Sequence, residues 1–279
     1  MGSGGDAERE VDIDFEVAAP TRFGASTENG DAPFEIDREV TARLYASHPD
    51  GIDAFRSVGE AAQGFIERAV RHVIDEAGVR QFLVIGSSVS GRANVHEVAQ
   101  EIAPESRVVY VLFDPLMLVY AHRLLQGAAE GTTAYIQAKL RDVDEILERS
   151  AATLDLAQPV AVLMPGSLGF VRNGARAAEI VDGLMGGLVS GSHLVVTHHA
   201  SDLLAEIIAP VYKTIAQLAA EGRGWEIAPR DAGEVAALCS RLELVEPGVV
   251  PVELWRPPGD GSVPVTVTVA IHAAVGRKP

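Results

Sequence analysis

Cysteine occurs once in the 279 residues, at Cys239. A lone thiol excludes an internal disulfide and fits a reducing cytoplasm. With neither a cysteine pair nor an HExxH spacing, the chain offers little to a structural zinc, and no metal site is expected. Long apolar runs are missing: none approaches the roughly 20 residues that span a bilayer, and the opening MGSGGDAERE has no apolar signal region. A cytoplasmic chain that meets no membrane is the expectation. Positive charge is scarce too, with 23 Lys and Arg against 39 Asp and Glu and a formal charge of −16. Such a surface repels a phosphate backbone, whose binding depends on cations neutralising phosphates, so nucleic acid is not an expected partner. The sequence also shows no internal repeat, Ser-His-Asp signature or phosphate loop.

What is present is an alternation of strands and helices. Hydrophobic residues make up 47% of the chain, and its length can hold one large α/β domain with an N-terminal extension, or two small domains. The organising stretch is Gln81-Phe-Leu-Val-Ile-Gly-Ser-Ser-Val-Ser-Gly91. Phe82 to Ile85 is a continuous apolar run, the mark of a strand buried on both faces, and Gly86, Ser87 and Ser88 begin a turn of small residues before helical spacing resumes. Strand, small-residue turn and helix form the first unit of a nucleotide-binding sheet, where backbone N–H groups approach a cofactor and the helix presents its positive end. Gly86, Ser87 and Ser88 are therefore candidates for cofactor contact.

Residues 1–32 lack periodicity and are expected to form a mobile tail and loop, followed by a domain over 33–279. Helical spacing covers about 36–77, a cover placed ahead of the sheet, with Gly78 as its stop. Strands are expected at 107–113, 132–137, 159–164 and 192–197, with helices between them, including one from Pro115 to about Gln126 and one from Ser201 to about Ala220. The ending reads differently. After a short strand at 242–245, Val263, Val265, Val267, Val269 and Ile271 alternate with Pro264, Thr266, Thr268, Ala270 and His272, the period of a half-exposed strand. Five strands separated by helices and two without one imply a mainly parallel seven-stranded sheet with an antiparallel edge.

Several words of the sequence resemble those of an actinobacterial family with the class I S-adenosylmethionine-dependent methyltransferase fold. They are RQFLVIG (80–86), NVHEVAQ (94–100), RVVYV with Asp114-Pro115, Gln137-Ala138 with Leu140-Arg141-Asp142, and LVEPGVVPVELWRP (244–257). The resemblance implies a Rossmann-like sheet, S-adenosylmethionine as cofactor, and a lid that keeps Pro20, Arg22, Gly30, Phe34, Asp37 and Arg38. It also marks departures: Val84 stands where the family has an acid, Ser88 where it has a second glycine, Leu112 where it has one of an acidic pair, and Lys139 where an acid faces the adenine. Gly24 and Ser26 stand in place of lid tyrosines. The cofactor motif is thus expected to be degenerate. Losing a charge-assisted hydrogen bond costs about 1.5–3 kcal/mol, or roughly ten- to a hundredfold in affinity.

Asp114 remains the principal candidate for ribose contact, a plain helix start before Pro115 being the other reading. Arg141 and Asp142 stand as further cofactor-side candidates, or else as a structural ion pair. His198 and His199 follow the fifth strand at the carboxyl edge, where open sheets bind ligands, and either can serve as a general base. His96 reads equally as helix packing. Three functions stay open: methyl transfer from S-adenosylmethionine to a small molecule of secondary metabolism, a cyclase or isomerase on a polyketide or peptide-like intermediate, and a non-catalytic partner of another enzyme. A homo-oligomer is compatible with each.

Overall fold

The structure, a computed structural model, describes residues 17–30, 32, 34–86, 94–114, 116–117, 121, 130–259 and 265–279. Ser87 and Ser88, most of the helix expected after Pro115, and the start of the expected last strand lie outside the described residues.

The sheet is built from β1 (Gln81–Ile85), β2 (Arg107–Leu112), β3 (Thr132–Gln137), β4 (Ala161–Pro165), β5 (His193–His199), β6 (Glu243–Leu244), β7 (Val250–Pro251) and β8 (Ile271–Arg277). Its order is β3-β2-β1-β4-β5-β8-β6, with β7 paired to β8 off this path. The first five strands run parallel, and β8 runs antiparallel to β5. This is the class I methyltransferase arrangement. The order reverses between β1 and β4, the switch point outside which open α/β sheets form a ligand crevice.

Every residue of β1 is buried, as are the four apolar residues of β4, because helices cover both faces. On one face α3 (Ile52–Asp75) and α4 (Val95–Ile102) pack against Phe82, Val84, Val108, Tyr110 and Leu163. On the other, α5 (Val143–Ser150), α6 (Gly174–Gly186) and α8 (Ala232–Leu238) bury Leu83, Ile85, Val109, Val111 and Val162. The chain fixes α4 with a capping box, Asn94 N–H donating to Glu97 Oε2 at 2.7 Å. Cys239, free and buried behind α8, has its thiol pushed up to about 11 by that burial.

The long helix α3 positions the site. Its second half presents Phe65, Ile66, Ala69, Val70, Val73 and Ile74, a stripe at helical spacing that is buried against the sheet. At 24 residues it is about 36 Å long, longer than the five-residue β1 that follows it. Its first half therefore overhangs the carboxyl ends of the strands. A third, smaller core sits there, where α1 (Pro20–Asn29) and α2 (Glu35–Ala46) meet α7 (Ala205–Ala220) through Ile36, Val40, Leu44, Val211, Ile215 and Leu218. Phe23, Tyr45, Phe55 and Trp225 extend it as an aromatic cluster with ring centroids 5.4–6.1 Å apart.

Two expectations are corrected here. The segment 20–29, expected as part of a tail and loop, is the helix α1, begun by Pro20 at its first turn and ended by left-handed Gly30. Its Gly, Ser and Thr content hides it from a propensity reading; contacts of Phe23 and Arg22 hold it in place. The last strand is Ile271–Arg277, not the alternating segment before it. Residues 265–268 are unpaired, and Glu253 Oε1 accepts from Thr268 N–H, Thr268 Oγ1 and Val269 N–H at 2.7–3.1 Å. The true strand shows no alternation because it is buried on both faces from Ile271 to Gly276.

Candidate functional site

At the carboxyl ends of β1, β4 and β5 a cavity of about 220 Å³ lies beneath the overhang of α3. Val58, Ala62 and Ile66 form its roof, and Val84, Leu163, Thr197, His199 and Ile271 its floor. Pro20, Thr21 and Gly24 of α1 close one side. This is the crevice that the strand order calls for.

Gly86 borders the cavity in a left-handed conformation, with φ 79°. A methyl group there would come within 2.7 Å of Phe113 Cε2 and 2.8 Å of Ser167 Cβ, so glycine is required by the chain's own packing before any ligand is considered. Ser167 is fully buried, and its Oγ has no hydrogen-bond partner among the described residues.

Asp114 follows the end of β2, the strand next to β1, by two residues and is 8% exposed. Its Oδ1 accepts from Leu116 N–H at 2.8 Å and its Oδ2 from Arg22 Nη1 at 3.3 Å. Arg22 reaches down from α1 and also donates through Nε to Asp37 of α2 at 3.1 Å. One guanidinium thus bridges two carboxylates on three elements. Burial raises the Asp37 carboxyl above its ordinary range despite the opposing pull of Arg22. The lid residues singled out in the sequence, Arg22 and Asp37, therefore meet the ribose candidate Asp114 in one buried cluster.

The two histidines separate by strand parity. Val195, Ile271, Ala273 and Val275 share the α3 face, whereas Val196 and Ala274 share the α6 and α8 face. His199 continues the first row and lies on the cavity side, opposite Ile271; His198 continues the second, opposite His272. Arg230 Nη1 donates to His198 Nε2 at 2.7 Å, and His198 Nδ1 bonds to the His199 carbonyl oxygen at 2.9 Å. Because a guanidinium only donates, Nε2 accepts, the proton sits on Nδ1, and both ring nitrogens are engaged. Burial, with Arg230 and the neighbouring histidines adding to it, pushes His198 down to about 4. Its ring edges the cavity but has no nitrogen to give a substrate. The His199 ring has no hydrogen-bond partner among the described residues, and burial lowers it to about 4, so at neutral pH it is an uncharged imidazole facing the cavity.

Arg141 and Asp142 lie elsewhere. They pair with each other at 3.7 Å in an open groove shared with Arg176 and Glu179 of α6, and neither lines the cavity. His96 is held at Nδ1 by the Tyr110 hydroxyl at 3.0 Å and ties α4 to β2. Lys139 is exposed. Two residues were missed in the sequence: Arg230, whose arginine type and position behind a loop gave no signal, and Thr197, buried on the cavity floor and hidden inside an apolar strand pattern. Among the described residues no group of three His, Cys, Asp or Glu could hold a metal ion, and no helix is long and apolar enough to cross a membrane.

Residues 6–279 match the sequence model of a family described as S-adenosyl methyltransferase. Among solved structures, the chain is similar to a DUF574-family protein from Streptomyces avermitilis, with 34% identity, a TM-score of 0.82, and coverage of 96% of this chain and 100% of that one. It is also similar to a candidate methyltransferase from Thermobifida fusca, with 29% identity, a TM-score of 0.80, and coverage of 95% and 96%. A comparison with curated proteins gave no significant match.

Proposed function

The chain belongs to the S-adenosyl methyltransferase family, and from that premise we propose that it binds S-adenosylmethionine at the ends of β1 and β2 and methylates a small molecule held in the cavity under α3. The observation that carries this reading is the cavity's position, bordered by Gly86 at the end of β1 and by His199 at the end of β5. A donor bound at the first and an acceptor lying against the second would face each other across the switch point.

The residues present fit the cofactor. Among the described residues each Asp114 oxygen accepts one hydrogen bond, which leaves lone pairs for ribose hydroxyls, and the buried Ser167 Oγ beside Gly86 lacks a partner. Gly86, Asp114 and Ser167 would hold it. When bound, the cofactor supplies an electrophilic methyl group on a sulfonium. Val84 gives one charged contact fewer than the family pattern, so affinity roughly ten- to a hundredfold lower than with an acid there is expected.

The chain's own part is positioning and proton transfer. The apolar roof and floor exclude water and align the acceptor with the methyl group. His199 takes the acceptor's proton, while His198, fixed by Arg230, holds the end of β5 in place. Titration calorimetry with S-adenosylmethionine and S-adenosylhomocysteine tests the proposal: micromolar binding that is lost in Asp114→Ala supports it, and no binding up to millimolar ligand sinks it. A cofactor-free cyclase or isomerase in the same cavity is the second reading, favoured by Val84 and by the Arg22–Asp114 pair. It requires turnover that persists without cofactor.

A further inference from the structure

The described part of the cavity lining is uncharged. None of the described side chains lining it is Asp, Glu, Lys or Arg; its walls are chiefly apolar, and Gln63, Thr197 and His199 are among its few polar points. Before any donor binds, an ion placed there would lose hydration with no charged side chain in the described lining to offset the loss, a cost that exceeds what apolar contacts return. Size gives a second limit. A cavity of about 150 Å³ holds a benzene ring, so the 220 Å³ found here admits one ring with a few further heavy atoms.

We propose that the acceptor is an uncharged, single-ring compound that presents a phenolic hydroxyl to His199. This rests on the methyl-transfer reading for its chemistry, but not for its binding. In the step, the bond from the phenolic oxygen to the methyl carbon forms as the sulfur–carbon bond breaks, the hydroxyl proton passes to a His199 ring nitrogen, and the donor departs as a neutral thioether. Charge and atoms balance, because the positive charge lost by the sulfonium appears on the imidazolium. A phenol ionises near pKa ~10 and gives up its proton more readily than an unactivated hydroxyl such as that of water, near ~15.7, so a phenolic hydroxyl is the one suited to the neutral imidazole on the cavity floor. Thr197, buried on the same floor, lies on the His199 side of β5.

The test is calorimetry without cofactor, so its outcome does not depend on whether S-adenosylmethionine binds. The probes are 4-ethylphenol, ethylbenzene, the anion 4-hydroxybenzoate and the two-ring 4-phenylphenol. The expected result is binding of 4-ethylphenol, with 4-hydroxybenzoate and 4-phenylphenol at least about tenfold weaker. His199→Ala should weaken 4-ethylphenol by up to about tenfold and leave ethylbenzene unchanged, a split that a purely structural role would not produce. Ala62→Phe, which fills the roof, should abolish binding of all four. Equal binding of the anion, or no binding of 4-ethylphenol up to millimolar concentration in folded protein, overturns the proposal.

Discussion

Replacing Arg22 by methionine keeps most of the buried stem and removes the charge. Asp37 then loses a partner at 3.1 Å and Asp114 one at 3.3 Å, while Arg22 and Asp37 are 3% and 1% exposed. Removing one member of a buried ion pair costs about 3–5 kcal/mol, because the remaining charge is left uncompensated. The longer bond to the slightly more open Asp114 places the expected cost near the lower end, about 3 kcal/mol. The pH dependence has a definite sign. Burial already raises Asp37 above its ordinary 3.8, and losing the guanidinium raises it further. A carboxyl raised in the folded state binds its proton more tightly there than in the unfolded chain, so the loss is full at neutral pH and shrinks as pH falls towards the unfolded value. Urea unfolding of wild type, Arg22→Met and the double variant Arg22→Met/Asp37→Asn at about pH 7.5 and 5.0 measures this. The single variant should recover at least ~1 kcal/mol of its loss at the lower pH, and the double variant should recover part of it at both. A loss below about 1 kcal/mol that is the same at both pH values would refute the argument that the cluster is buried and uncompensated.

Gly86→Ala should destabilise by at least about 2 kcal/mol in thermal unfolding, since it combines a left-handed backbone with contacts of 2.7 and 2.8 Å. Arg230→Met removes donors from the Leu168 and Val171 carbonyls and from His198 Nε2. It should raise the His198 pKa from about 4, read as an NMR titration of the ring; an unchanged value would mean that Arg230 does not act on it. His198 and His199 both sit at about 4 against an ordinary 6.5. Their contribution to stability is complete above about pH 6.5 and is lost as pH falls through the folded values, by on the order of 1–3 kcal/mol each. Unfolding measured between about pH 7 and 4 should show that loss reduced in His199→Phe.

The parallel strands were legible because a strand buried on both faces must be a continuous apolar run, as Phe82–Ile85 and Val160–Met164 are. The helical cover was legible where its apolar stripe is long, as in α3, and illegible in α1, whose helix depends on Arg22 and Phe23 contacts distant in sequence. The last strand was misplaced for a physical reason. A Val/Thr alternation imitates a half-exposed strand, whereas the real β8 carries His-Ala-Ala and Gly276 among its seven residues, and pairing with β5 overrides the weak strand preference of Ala and Gly. Asp114 could be chosen from its position after a strand, and the histidines, expected just after the fifth strand, are the last two residues of β5. Which histidine faces the cavity followed only from register with β8, and Arg22 as the partner of Asp114 followed only from the fold. Arg141 and Asp142, chosen from a shared word, lie in a separate groove.

The central claim is that cofactor and acceptor meet at the switch point between β1 and β4, and a crystal structure grown with S-adenosylhomocysteine tests it most directly. Ribose hydroxyls are expected on Asp114 and the sulfur beside Gly86, facing the cavity that holds His199. Ligand bound away from Asp114, or no ligand at millimolar concentration, would contradict it.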